Sequence, residues 1–317
     1  MTARTRIAVV GGGQNCEHEV GLATAESVRR ALDWRRYDVV PLTIARDGGW
    51  LLDGARTTFA GAMGVVAACD VVFPAVHGPR GEDGTLAAMC ELAGVPYVGS
   101  GVRAGALAMD KWATKLVAAE LGVGVAPGVL VSSPADGVPV DLPAVVKPVA
   151  AGSSHGVALV RSQAELGPAI AAALELDGRV LVEELVVGRE VDVAVLERAD
   201  GTRVVAPALE VVVRPGALFD TTAKYDGSAD FRIPAAVSDV ERKELEAAAL
   251  AVFDALGCSG VARIDFFVTA HGLVLNEVNT MPGMTEQSQV PKMFAAAGTA
   301  YPTLLDELIA GALARHR

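Results

Sequence analysis

The stretch LVLNEVNTMPG, residues 273–283, begins as a buried β-strand and ends as something else. Leu273, Val274 and Leu275 suit a core, but Asn276, Glu277 and Asn279 then surround one valine before a Met-Pro-Gly turn. Strand side chains alternate, so Glu277 and Asn279 share a face ~7 Å apart. The segment before it, VARIDFFV (261–268), is equally apolar apart from Arg263 and Asp265. A short polar turn joins the two, which predicts a hairpin. A five-residue connection sets Asp265 opposite Glu277 and Arg263 beside Asn279; a four-residue turn sets Asp265 opposite Asn276 instead. In the first register Asp265, Glu277 and Asn279 cluster. Oxygen ligands without His or Cys suit a hard cation such as Mg²⁺, shared with nucleotide phosphates and water. The plainer alternative, a buried Arg263–Asp265 ion pair, leaves Glu277 and Asn279 unexplained.

The rest of the chain supplies a frame for this hairpin. At 317 residues it exceeds one ordinary core, predicting two or three lobes. With 51% apolar and 21% charged residues it reads as a soluble globular protein. The mean hydropathy of +0.38 comes from Ala, Val and Gly. No stretch approaches the ~18 apolar residues of a membrane span, and Ile7–Val10 is too short for a signal-peptide core. A net charge of −11 argues against nucleic acid as a main partner. Cys16, Cys69, Cys90 and Cys258 are scattered without a CxxC pair, which fits reduced thiols and a cytoplasmic location.

RIAVVGGG (6–13), YDVVPLTI (37–44) and CDVVFPAVHG (69–78) read as strands, with helical spacing at 18–32 and 84–94. Strands alternating with helices predict an open α/β lobe over 1–100. Residues 99–122 read mostly as helix. With PAVVKPVAAGSSHGVALV (143–160), a helix and RVLVEELV (179–186), they form an expected α+β lobe over 101–187. Strands dominate a third lobe, 188–317, interrupted by the amphipathic helix 241–257 and closed by a C-terminal helix.

Two glycine loops invite a phosphate reading. VVGGG runs on into Gln14-Asn15-Cys16 and lacks the third glycine of a dinucleotide fingerprint, so a tight turn explains it better. Glu17-His18-Glu19 follows at a helix start, where a carboxylate serves as a cap or faces a ligand at the strand edge. HGPRGEDGT (77–85) ends a later strand at the same edge, which brings His77 near Glu17. Asp83 and Thr85 read equally well as capping residues. In KPVAAGSSHG (147–156) Lys147 precedes the glycines, unlike a Walker A loop. Its tip is an ordinary hairpin end or a cradle of N–H groups and hydroxyls for phosphate. Lys111 adds a second cation.

These segments together carry a resemblance. Asp265 and NEVNTMPGMT, with KPVAAGSSHG before them, are similar to an ATP-grasp enzyme. GGGQNCEHEV, HGPRGEDGT, YVGSGVRAGALAMDK, AKYDG and LNEVNTMPGMTEQS, in order along nearly the whole chain, resemble the D-alanine–D-alanine ligase family. The resemblance implies an ATP-dependent carboxylate-amine ligase of peptidoglycan synthesis, acting through an acyl phosphate, homodimeric and cytoplasmic, with small-molecule substrates. Residues Glu183, Glu184 and Val186 would then meet adenine and Glu190 the ribose. Lys111, Lys147, Ser154 and Lys224 would contact phosphates. Asp265, Glu277 and Asn279 would hold two Mg²⁺, or Mn²⁺. Glu17, with His77, would receive the first amino acid's ammonium, and Ser288 the second's carboxylate. Arg263 and the Gly283 N–H would form an oxyanion hole, and Glu17, Ser153 and Tyr225 a set that closes the lid.

Departures from the family pattern stand at Cys16, Gly21, His155, Phe219, Thr221 and Gln289. Gln289 occupies a position that often lines the second substrate's side-chain pocket. A polar pocket there predicts a second amino acid other than D-alanine, such as D-serine; neutral drift predicts no change. The rival readings are therefore a ligase for another amino acid, a nucleotide sensor without catalysis, and a nicotinamide dehydrogenase resting on VVGGG alone.

Overall fold

The computed structural model describes residues 4–134, 138–212 and 230–316. In the N-terminal lobe, β1 (Thr5–Gly12) runs parallel to β2 (Tyr37–Ile44). The short strands β3 (Trp50–Leu52) and β4 (Ala55–Thr57), absent from the sequence reading, extend the sheet antiparallel beyond β2. β5 (Val71–Pro74) lies parallel to β1 on its other side. The continuous apolar run of β1 follows from burial on both faces: Ile7 and Val9 enter one core, Ala8 and Val10 another. Helix α1 (His18–Ala31) crosses the sheet so closely that a Cβ at Gly21 would lie 2.2 Å from the Gly12 carbonyl oxygen. That approach leaves no room for a side chain at position 21. Helices α2 (Phe59–Ala67) and α3 (Thr85–Ala93) complete the lobe.

The helical stretch expected at 99–122 is broken into α4 (Val102–Met109) and α5 (Lys111–Glu120). Asp110 between them is extended (ψ 97°), and its carboxylate accepts the Ala113 N–H at 2.9 Å as the N-cap of α5. Ala104, Ala108 and Ala118 pack with the C-terminal sheet, and β6 (Gly124–Val125) hydrogen-bonds within that sheet. This segment, grouped with the central lobe in the sequence reading, thus lies on the next one.

The central sheet comprises β7 (Gly128–Val131), β8 (Ala144–Pro148), β9 (Ala158–Val160) and β10 (Val180–Glu184), in the order β7-β10-β8-β9. Helix α6 (Gln163–Leu174) covers it through Leu166, Ile170 and Ala173. The β8–β9 hairpin carries the Gly-Ser loop at its tip.

The C-terminal sheet is built from β11 (Arg189–Glu197), β12 (Arg203–Val205), β13 (Leu209–Val212), β14 (Asp230–Arg232), β15 (Val261–Thr269) and β16 (Gly272–Asn279). Its order is β14-β13-β11-β15-β16-β6, with β12 beside β11. Helix α7 (Asp239–Leu256) starts at a Ser238/Glu241 capping box and packs on β11 and β15. After α8 (Gln289–Ala296), helix α9 (Tyr301–Arg315) returns to the first lobe, where Leu304 and Leu308 share a core with Ile7 and Phe73.

The β15–β16 hairpin combines both registers that the sequence leaves open. Its turn is the short one, with Thr269 opposite Gly272 and Phe266 opposite Leu275. A β-bulge between Asp265 and Phe266 then shifts the pairing by one, so that Asp265 faces Glu277 and Arg263 faces Asn279. Asn276 is the extra residue. Without the bulge, the same turn would place Asn276 opposite Asp265.

Candidate active site

Pairing across the C-terminal sheet sets Asp192, Asp265 and Glu277 in one row over β11, β15 and β16. Like charges directly opposite are unfavourable, and Arg263 offsets them. Its Nε and Nη2 donate to the two Asp265 oxygens, each at 2.7 Å, and Nε lies 3.6 Å from Asp192. Burial opposes the guanidinium charge, but Asp265, then Asp192 and Glu277, outweigh it and raise its pKa well above the ordinary value. The ion pair and the oxygen cluster, alternatives in the sequence, therefore coexist. Asn279 Nδ2 donates to Asp265 at 3.0 Å, which turns its Oδ1 away as an oxygen donor. Among the described residues no group of three or more His, Cys, Asp or Glu forms a metal cluster. The candidate set here is two carboxylates and an amide.

A cleft of about 670 Å³ opens between this row and the N-terminal lobe, lined by Glu17, Ser153, Arg263, Glu277, Gly283 and Ser288 among others. Glu17 stands at the N-cap position of α1 but makes no side-chain cap bond. Its Oε1 accepts from the Ser153 hydroxyl, joining the first lobe to the Gly-Ser loop. Oε2 is buried with no hydrogen-bond partner among the described residues. The loop reaches Glu17 because Gly152 has no side chain: a Cβ there would lie 2.0 Å from Oε2. Ser153 and Ser154 adopt φ of +49° and +58°, a left-handed conformation that costs non-glycine residues free energy. Gly152→Ala should therefore break the Glu17–Ser153 bond. A charge-assisted bond contributes ~1.5–3 kcal/mol, so the KM for the amino acid should rise about tenfold or more and the melting temperature should fall by several degrees. Steady-state kinetics and a thermal melt check both.

His77 lies in the same cleft, yet both ring nitrogens are engaged. Nε2 meets Thr24 Oγ1 at 2.9 Å and Nδ1 meets the Met281 carbonyl at 2.8 Å. Burial lowers its pKa against the opposing pull of Glu17, so the ring is neutral, with Nδ1–H donating to Met281 and Nε2 accepting from Thr24. Its contacts tie the Met-Pro-Gly turn to α1. Glu82, beside it, accepts N–H groups of Gly78 and Met281 at 2.9 and 3.1 Å. Burial, then Glu17, raises its pKa to about 7. Asp83 instead accepts the Arg80 and Thr85 N–H groups within its own loop, and the N-cap position of α3 falls to Gly84.

A second cleft of about 570 Å³ lies between the central and C-terminal sheets; Lys111, Lys147, Ser154, Glu184, Val186 and Glu190 are among its walls. Glu183 also lines it, but its carboxylate is held by two ammonium groups, Lys147 Nζ at 2.5 Å and Lys115 Nζ at 2.6 Å. Burial would raise the Glu183 pKa; Lys147 and Lys115 reverse that and keep it below the ordinary value. Lys111 Nζ donates to the Ala151 carbonyl at 2.8 Å and lies 3.5 Å from Glu277.

Ser288 is the N-cap residue of α8, with Oγ bonded to Thr285, and Gly283 lies against it. Gln289 also lines the first cleft. Its amide bridges Arg263 and Asp192, at 2.7 Å on each side, because both charged partners lie within reach of the first turn of α8. Lys224 and Tyr225, with Phe219 and Thr221, lie outside the described residues.

Lys115, Asp192 and Glu82 entered no sequence assignment of the site. Lys115 follows Lys111 by four residues on one helix face, a spacing that signals neighbours. Asp192 is a lone acid inside an apolar strand, and buried acids need partners. Glu82 carried no signal beyond its loop.

The chain is similar to known proteins along nearly its whole length. The family model described as D-ala D-ala ligase C-terminus matches residues 138–310, and the N-terminus model matches 6–63 and 55–100. A D-alanine–D-alanine ligase of Nocardia farcinica is 43% identical over 99% of this chain and 99% of its own length. One from Mycolicibacterium smegmatis is 41% identical over 98% and 96%. Among solved structures, the VanG D-Ala:D-Ser ligase of Enterococcus faecalis superposes with a TM-score of 0.82 at 32% identity, covering 98% of this chain and 99% of that one. The D-alanine–D-alanine ligase of Bacillus anthracis complexed with ATP gives 0.82 at 27%, covering 98% of each chain.

Proposed function

The chain belongs to the D-alanine–D-alanine ligase family, with its ATP-grasp fold, and from that premise we propose that it joins two D-alanines at the expense of ATP. The observation that carries this reading is a shared wall: Lys111, Ala151, His155 and Glu277 line both clefts. Phosphoryl transfer from a nucleotide to an amino acid needs such a junction. The nucleotide lies in the second cleft, with Glu184 and Val186 near the base, Glu190 near the ribose, and Lys111, Lys147 and Ser154 near the phosphates.

The first D-alanine places its ammonium at Glu17 Oε2, the buried carboxylate oxygen that has no hydrogen-bond partner among the described residues. Its carboxylate oxygen attacks the γ-phosphorus, the bond to the ADP oxygen breaks, and an acyl phosphate forms. The amine of the second D-alanine, whose carboxylate sits at Ser288 and the α8 N-terminus, attacks the carbonyl carbon. The Arg263 guanidinium and the Gly283 N–H receive the charge that develops on the carbonyl oxygen. Phosphate departs, and the nitrogen loses a proton. The Gly-Ser loop, anchored by Ser153 on Glu17, excludes water that would hydrolyse the acyl phosphate. Asp265, Glu277 and Asn279 fit Mg²⁺ by donor chemistry, and Mg²⁺ held there would neutralise phosphoryl oxygens. Family likeness supports a homodimer supplying peptidoglycan synthesis. The same likeness supports a cytoplasmic place, and among the described residues no helix is long and apolar enough to cross a membrane.

The test is ADP release with Mg-ATP and single or paired D- and L-amino acids, with product masses. D-alanine alone should yield ADP and the D-alanyl-D-alanine mass, and Glu277→Ala should abolish turnover. Silence with D-alanine would sink the proposal.

A further inference from the structure

Gln289 stands at a position expected to line the second amino acid's pocket, yet its amide is committed elsewhere. We infer that Asp192 and Gln289 form a positioning relay that holds the Arg263 guanidinium at the reacting carbonyl, and that Gln289 does not select the acceptor amino acid. The inference rests on the ligase reading above.

The relay has one consistent polarity. Arginine offers only donors and a carboxylate only acceptors, so Gln289 Oε1 must face Arg263 Nη1 and Nε2 must face Asp192 Oδ2, each at 2.7 Å. Asp265 takes Nε and Nη2, also at 2.7 Å. All three guanidinium nitrogens are thereby held and the plane of the group is set. Three of the five N–H groups are used, leaving two for a substrate oxygen. Asp192 and Asp265, 1% and 2% exposed, face each other on neighbouring strands. A neutral amide binds Asp192 without adding charge to this row. Gln289 also directly follows Ser288, so the same turn of α8 that would hold the acceptor carboxylate fixes the guanidinium.

Misplacing a catalytic group by about 1 Å can cost ~10²-fold. Gln289→Leu should therefore lower kcat for dipeptide by about 10–100-fold, leave the KM for ATP and the order of acceptor preference unchanged, and raise the ADP released per dipeptide. Asp192→Asn keeps an oxygen for the Gln289 amide and should stay within a few-fold of the parent. Asp192→Leu should match Gln289→Leu, and the double variant Asp192→Leu/Gln289→Leu should lose no more than either, since both act through one chain of bonds. A second readout needs no turnover. The Arg263 guanidinium NMR signals, identified by their loss in Arg263→Lys, should be sharp in the parent and in Asp192→Asn but exchange-broadened in Gln289→Leu. An altered acceptor preference at unchanged kcat would overturn the relay, as would additive losses or unchanged guanidinium signals. Should the parent join no D-alanine, the ligase reading fails separately and the guanidinium signals alone decide the relay.

Discussion

Replacing Arg263 with leucine is expected to lower dipeptide formation by ~10²–10³-fold, the usual effect of losing one oxyanion donor. Stability should fall with it. The side chain is nearly buried and is the cation between Asp192 and Asp265, which face each other across β11 and β15. Removing one partner from a buried ionic group leaves uncompensated charge and costs ~3–5 kcal/mol, so the melting temperature should drop by several degrees. Arg263→Lys separates the two effects. A lysine keeps the positive charge but cannot grip Asp265 with two parallel bonds and also donate to Gln289. Most of the stability should return, and little of the rate. A lysine variant that recovers full turnover would show that charge alone suffices and remove the guanidinium geometry from the mechanism.

Glu183→Gln should destabilise the protein by ~3–5 kcal/mol near neutral pH, and the loss should depend on pH. One carboxylate here serves two buried ammonium groups, Lys115 and Lys147. Burial, then the charge of Lys147, pushes the Lys115 pKa down to about 8 from its ordinary 10.5, with Glu183 opposing. Between these values the unfolded chain binds more protons than the folded one, so stability rises with pH across that window and is lowest below it. Without the Glu183 charge the folded pKa falls further and the window opens downward. The variant should therefore be far less stable than the parent at about pH 6.5 and recover part of the deficit by about pH 9. Urea unfolding at both values checks this. An equal deficit at both would mean that packing, not the lysine charges, is responsible. The variant should also bind ADP more weakly, since both lysines line the nucleotide cleft.

Much of this molecule is legible in its amino-acid order because the relevant signals are local. Alternating strand patterns and glycine breaks define the α/β lobe and the β15–β16 hairpin. The ordered motifs from GGGQNCEHEV to LNEVNTMPGMTEQS identify the family, and Glu17, Ser153 and Arg263 line one cleft as those motifs imply. What lay beyond the sequence depends on which distant side chains meet. The short hairpin turn alone would have put Asn276 opposite Asp265; a bulge, which no local rule announces, restored Glu277. His77 lines the cleft as its motif implies, but that Thr24 and Met281 take its two ring nitrogens is decided by residues distant in sequence. Likewise the partner of the Gln289 amide is Asp192, 97 residues away. Backbone pattern is set by neighbours along the chain, so sequence alone determined the fold class, the family and the residue types of the site. Partnership of buried polar groups is set by neighbours in space, because each must be satisfied by whatever packing brings within 3 Å or so. Only the tertiary structure could decide which of those residues are engaged with each other and which face the cleft.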